Sequence, residues 1–169
     1  MQKNTQKLII AALLTALSIV LTREVPLSQF VLFGATFRLN LGMIPIFLSS
    51  LLLGPLYGGA TGLLADTLGY VVNPMGGVFI PGIALTSTLC GVMPWLFSRV
   101  GKENSAVKYF SLVLSYVIAT TMNTAWLSLM QQSPFFPILA VRIIPALLLS
   151  WVYSAVILAL ELRLKKEIT

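Results

Sequence analysis

Histidine is absent from this chain of 169 residues, and cysteine occurs once, at Cys90. Without histidine there is no Ser/His or Cys/His nucleophilic pair and no imidazole metal ligand. A single cysteine excludes an intrachain disulfide and any multi-cysteine metal site. Charge is scarce as well. Only 9% of residues are Asp, Glu, Lys or Arg, against about 25% in soluble domains. Acids are the rarest, five against eleven bases. The net charge of +6 does not read as a nucleic-acid footprint, because the bases are few and flank apolar runs. No GxxxxGK[ST] run occurs, so the Walker route to ATP hydrolysis is closed. Residues 8–22 are apolar, yet no small-residue cleavage site precedes a soluble mature domain, so no cleavable secretory signal is expected.

What the chain has instead is greasy length. It is 57% hydrophobic, with a mean hydropathy of +0.93. The charge-free stretches predict six transmembrane helices in one domain over residues 1–169, an all-α integral membrane bundle. The spans fall at residues 8–22, 39–53, 56–72, 81–97, 109–131 and 137–162. The first is short for a core roughly 30 Å thick, so its flanking bases must snorkel or the helix must extend into polar sequence. The second and third are separated at Gly54-Pro55, because proline is favoured at a helix start and disfavoured inside one.

With an even number of spans both ends share a side. Lys3, Lys7, Arg99, Lys102, Lys108, Arg163, Lys165 and Lys166 fall there, eight of the eleven bases. The positive-inside rule therefore puts both termini and the 99–108 loop in the cytoplasm. Arg23, Arg38 and Arg142 belong to the other side or the outer helix halves. Small residues mark close helix contacts. Gly54, Gly58 and Gly62 recur every four residues in "GPLYGGATG" and predict packing within the subunit. Ala12 and Ala16 form a second such pair, fit for ordinary packing or for docking to another membrane subunit.

Polar residues inside apolar helices carry the functional signal. Asp66, Tyr70 and Asn73 share one helical face, a line running from mid-membrane toward the outer surface. Gly76 and Gly77 follow in "NPMGG", where a turn or a close backbone approach suits glycine. Arg142 cannot shed its charge; it either pairs with Asp66 as a helix tie or clamps an anion. Arg23 and Arg38 bracket an outer loop, as lipid-headgroup anchors or as charge for the same cavity. Asn123 can read ligand edges or bond a neighbouring helix. Trp126, one turn on, and Phe79 can stack on a flat ring or pack ordinarily.

No second carboxylate partners Asp66 for a proton relay, and no inverted repeat supports alternating access within one chain. A polar outer pocket without an engine suits the binding half of a larger machine. "AALLTALSIVLTR", "FRLNLGMIPIFLSSLLLGPLYGGATGLLADTLGY" and "NPMGGVFIPGIALT" together resemble the substrate-binding S component of an energy-coupling factor (ECF) vitamin transporter, over nearly the whole chain. The folate-specific members are the most similar, through "NPMGGVFIPG" and Arg23.

The resemblance implies vitamin capture from outside by the outer loops and later helices. It implies that Ala12 and Ala16 stand at the family's AxxxA docking motif. The partner there would be a transmembrane coupling subunit driven by two ATPase subunits, with the S component toppling to release vitamin inside. Substrate-binding residues would be Arg23, Arg38, Asp66, Tyr70, Asn73, Phe79, Asn123, Trp126 and Arg142, with no cofactor, metal or catalytic residue. Folate's carboxylates and flat pterin suit three arginines, amides and aromatic rings. Pantothenate or another anionic vitamin is the alternative, since arginine recognises any carboxylate. Two other classes remain open: a stand-alone permease, and a membrane enzyme using Asp66 and Arg142.

Overall fold

The computed structural model describes residues 2–23, 29–32, 35–38, 40–74, 78–100 and 104–168. Six helices and one short ribbon make up the described chain. They are α1 (Gln2–Arg23), β1 (Gln29–Leu32), β2 (Ala35–Arg38), α2 (Met43–Leu53), α3 (Pro55–Val72), α4 (Pro81–Val100), α5 (Ser105–Gln131) and α6 (Phe135–Ile168). The stretch after α1, read from sequence as a plain loop, instead pairs with itself. β1 and β2 are antiparallel, with Gln29 opposite Arg38 and Leu32 opposite Ala35. The run "QFVL…ATFR" is rich in β-branched and aromatic residues, the composition that favours strands.

Helices α1, α4, α5 and α6 are long and apolar enough to cross a bilayer. The other two need company. Eleven-residue α2 is only about 16 Å long, roughly half the hydrocarbon thickness. It packs against α1, α3, α4 and α6, and eight of its residues, including Phe47 and Leu48, are buried. A helix apolar on all sides belongs in the centre. In α3, four glycines and Asp66 dilute the apolar run, and α3 lies against α1, α2 and α4.

Gly54 and the glycines after it do different work. Gly54 sits at φ +100°, a conformation that suits glycine, and turns α2 into α3 with Pro55 at the first helical position. Gly58 and Gly62 are buried and pack within the subunit, as their spacing predicts. A Cβ at Gly58 would run into the Gly91 carbonyl of α4, and one at Gly62 into the Ser87 carbonyl. Backbone thus meets backbone across α3 and α4, the close approach that small residues permit in lipid.

Polar atoms in this seam are satisfied internally, as a membrane interior requires. Ser49 and Thr61 hydroxyls lie 3.0 Å apart across α2 and α3. Pro94 lies inside α4, and the next amide, Trp95 N–H, donates to Ser50 Oγ at 3.3 Å. At the same end Lys108 Nζ donates to Glu161 Oε1 at 2.6 Å, joining α5 to α6 with side chains 14% and 4% exposed. Outward, Leu13, Phe110, Leu148 and Val152 are exposed, the apolar coat of a chain whose solvent is lipid.

The bundle therefore has two ends. The ribbon end gathers the ribbon, the close of α1, α3 and α5 and the start of α2, α4 and α6. The terminal end holds both chain termini, the α2–α3 turn and the Lys108–Glu161 pair.

Candidate functional site

The polar residues singled out from sequence fall at the ribbon end in three groups. The first is centred on Arg23, the last residue of α1. Its Nη1 donates to the backbone carbonyl of Asn73 at 2.8 Å, and its charge acts on Asp66. The side chain reaches α3 because Gly69 is bare: a Cβ there would lie 3.3 Å from Arg23 Nε. Asp66 is partly buried, four residues below Tyr70 on the α3 face.

One of the two readings of Arg142 falls away here, and one expectation for Asn73 changes. Arg142 does not pair with Asp66: among the described residues the salt bridge is Lys108–Glu161, and the cation acting on Asp66 is Arg23. The physical reason is topology, since α6 packs on α5 and α2 while α3 packs on α4, α1 and α2. Nor does Asn73 continue the helical line of Asp66 and Tyr70. It is the C-cap of α3, extended at φ −149° and ψ 99°, so its carbonyl meets Arg23 where the helix has already ended.

The second group is aromatic. Tyr70 of α3 and Phe79, just before α4, have ring centroids 5.1 Å apart and planes inclined at 55°. Such tilted geometry is favourable for ring quadrupoles. It also ties the two sides of the α3–α4 connection together. Gly76 and Gly77, within that connection, lie outside the described residues.

The third group is on α5. Among the described residues Asn123 Oδ1 is buried without a hydrogen-bond partner, an arrangement that costs about 1–3 kcal/mol. One turn on, the Trp126 indole covers the start of α4. A Cβ at Gly82 would collide with ring atoms Cδ2, Cε2 and Cε3 of Trp126. Gly82 therefore sets how deeply the indole seats between α4 and α5.

Arg142 stands apart, on the wall of an open cavity of about 310 Å³ shared with Pro137, Ile138 and Val141. Arg38 ends β2 opposite Gln29, and its side chain lies outside the described set. A larger cavity of about 530 Å³ runs between α3 and α4 and is bounded by Pro55, Leu63 and Val92. It is apolar and holds none of the nine predicted binding residues. Ala12 and Ala16 are exposed on α1, among the equally exposed Leu8, Leu13 and Leu17.

Sequence reasoning passed over Gly69 and Gly82, which shape the site by having no side chain. Their signal was available. A glycine inside a helix costs about 1 kcal/mol relative to alanine, so each needs a reason such as close approach. Glu161 was also missed, because an acid near a helix end beside Arg163 and Lys165 reads as solvated.

No group here supplies a nucleophile with a base, and among the described residues no cluster of His, Cys, Asp or Glu could hold a metal. Unsatisfied amide, aromatic faces and partly buried charge at one end of a multi-pass helical bundle point to a binding protein of the membrane. A family model described as "ECF transporter, substrate-specific component" matches residues 6–162, and the chain belongs to that family. It is a substrate-binding transport subunit and not an enzyme; membership implies a coupling subunit and ATPases as partners. The chain is also 26% identical over 158 residues to the folate transporter FolT of Clostridium novyi (strain NT), covering 92% of this chain and 87% of that protein.

Proposed function

We propose that this S component captures folate at the ribbon end, which faces outside, and passes it to the cytoplasm through its coupling subunit. The observation that carries the reading is the buried Asn123 Oδ1, without a partner among the described residues, one helical turn from Trp126. A buried acceptor left empty by the protein is one that a ligand donor can fill. A pterin offers such donors on a flat ring, and Trp126 offers a face to stack against. The Tyr70–Phe79 pair gives a second aromatic wall. Arg142, beside its open cavity, is the cation proposed for the glutamate carboxylates, since charge-assisted bonds to arginine are strong. The likeness to a folate transporter supports the same ligand. The distribution of lysine and arginine supports cytoplasmic termini, and the exposed Ala12–Ala16 face of α1 supports docking there.

Purified protein should bind folate with one-to-one stoichiometry and no turnover, read by calorimetry and by quenching of tryptophan fluorescence. Mass spectrometry of protein purified from folate-fed cells should release folate. Release of pantothenate or another vitamin in its place would overturn the ligand and leave the family role intact. Single cysteines at Lys3, Lys102 and Lys166, with Cys90 removed, should resist an impermeant thiol reagent in intact cells. Strong labelling of any of them would invert the orientation.

A further inference from the structure

We infer that Arg23 is a positioning residue: it latches the end of α1 to the end of α3 across the bare backbone of Gly69, and so holds the aromatic wall of the site in place. This rests on the folate reading above only for the choice of ligand. The geometry stands independently of it.

Three observations converge. The guanidinium is engaged, with Nη1 donating to the Asn73 carbonyl at 2.8 Å, one of its five N–H donors. That carbonyl belongs to the C-cap of α3, where helix carbonyls lack intrahelical donors. α1 closes on Arg23 itself, so two helix C-termini, each carrying partial negative charge, meet around one cation. Asp66, an acid on the same face of α3, lies within its electrostatic reach. Finally, the path of the side chain depends on Gly69, whose missing Cβ would lie 3.3 Å from Arg23 Nε and 3.8 Å from Ile19 Cγ1. A Cβ at 69 would make the arginine give by a few tenths of an ångström, and a β-branched side chain there would crowd it further.

What the latch positions follows from the chain order. Tyr70 precedes Asn73 by three residues, and Phe79, its ring partner at 5.1 Å, follows six residues after. Freeing the Asn73 carbonyl frays the last turn of α3 and loosens Tyr70 against Phe79. An anion reaching this place would meet two helix C-termini and Asp66 beside an arginine already bonded to one of those termini. The glutamate tail of folate is therefore not the partner of Arg23.

That last point separates positioning from direct anion binding. Arg23→Ala, Arg23→Lys and Gly69→Val would be compared with the parent protein for binding of folate and of folate dimethyl ester, whose tail carries no charge. Arg23→Ala should weaken both ligands by the same factor, about tenfold or more, as expected for losing a charge-assisted bond. The ratio of the two affinities should not move. Gly69→Val should reproduce that loss, and should add nothing in the Arg23→Ala background. Arg23→Lys should recover part of it. Hydrogen exchange of the amides of residues 70–73, measured in detergent without ligand, should quicken in Arg23→Ala and Gly69→Val. A selective loss of folate over its dimethyl ester would overturn the inference and make Arg23 an anion clamp. Unchanged exchange at residues 70–73 would also overturn it. Should the parent protein bind neither ligand, the folate reading fails while the exchange measurement still decides the latch.

Discussion

The α3–α4 seam and the ribbon end share the same two helices, yet they treat polar atoms in opposite ways. In the seam, Gly58 and Gly62 bring backbone against the Gly91 and Ser87 carbonyls of α4. Polar side chains there are mutually satisfied, as Ser49 with Thr61 and Ser50 with Trp95 N–H. At the ribbon end Asn123 Oδ1 is left without a partner among the described residues, and Asp66 feels the charge of Arg23 from another helix. Along the seam α3 and α4, with α2, carry stability; at the ribbon end, where α1 and α5 join them, the bundle carries binding capacity. A dry seam has no donor or acceptor to offer a ligand. A site with something to offer leaves its own atoms short until the ligand arrives, in line with the general conflict between stability and function.

The hardest way to break this contrast is to thicken the seam. Gly62→Leu would force side-chain atoms into the Ser87 carbonyl. Overpacking costs about 1–3 kcal/mol where side chains can yield, and here the obstacle is backbone on a packed helix. We expect no folded monomer in detergent, read by size-exclusion chromatography and melting. A monodisperse Gly62→Leu protein with native melting would show that the seam is not what holds α3 to α4.

The next largest effect tests whether charge at the terminal end obeys the seam's rule of full pairing. Lys108→Leu leaves Glu161, only 3% exposed, without its cation. Breaking a buried pair this way costs about 3–5 kcal/mol, whereas replacing both partners by apolar residues is often neutral. Lys108→Leu should therefore lower the melting temperature sharply, and Lys108→Leu with Glu161→Leu should return most of it. Equal destabilisation by the single and double variants would mean that the pair holds something beyond itself.

Asn123 sharpens the contrast from the other side, with a smaller effect of opposite sign. Asn123→Leu removes an unsatisfied buried acceptor and should stabilise the ligand-free protein by about 1–3 kcal/mol. The same change should weaken folate by about tenfold, the equivalent of one hydrogen bond near the upper end of its net range. Thermal melting with and without folate reads both. A destabilised Asn123→Leu protein would show that the amide serves the fold rather than the site.

How much of this was legible in the sequence varies with the kind of interaction. Helices were legible, because charge-free length and the Gly54-Pro55 break follow from local rules. The seam was legible too, since glycines at a spacing of four share a face whatever they pack against. Pairing across helices was not. The sequence offered Asp66 one candidate cation, Arg142, and only the neighbour relations of α3 and α6 show that Arg23 acts on it instead. The ribbon was hidden by its setting: four-residue strands between apolar spans look like any outer loop. Gly69 and Gly82 stood out only as helix glycines in need of a reason; what they accommodate, Arg23 and Trp126, is visible only where those side chains cross them.

The smallest effect on the fold comes from small residues in the reverse setting. Ala12 and Ala16 repeat the spacing of Gly58 and Gly62, but on the exposed face of α1. If smallness there serves a neighbour outside this chain, enlarging it should leave the bundle alone. Exposed substitutions away from special features usually change stability by less than about 0.5 kcal/mol. Ala16→Trp should accordingly keep melting and folate affinity near those of the parent while abolishing co-purification with the coupling subunit and uptake into proteoliposomes. In lipid a bulky residue at a close helix crossing holds the two backbones apart, so the loss should appear in assembly before it appears in transport. An Ala16→Trp protein that assembles normally but binds folate poorly would place the alanine pair in the internal packing, alongside the seam glycines, and would move the docking surface to another face of the bundle.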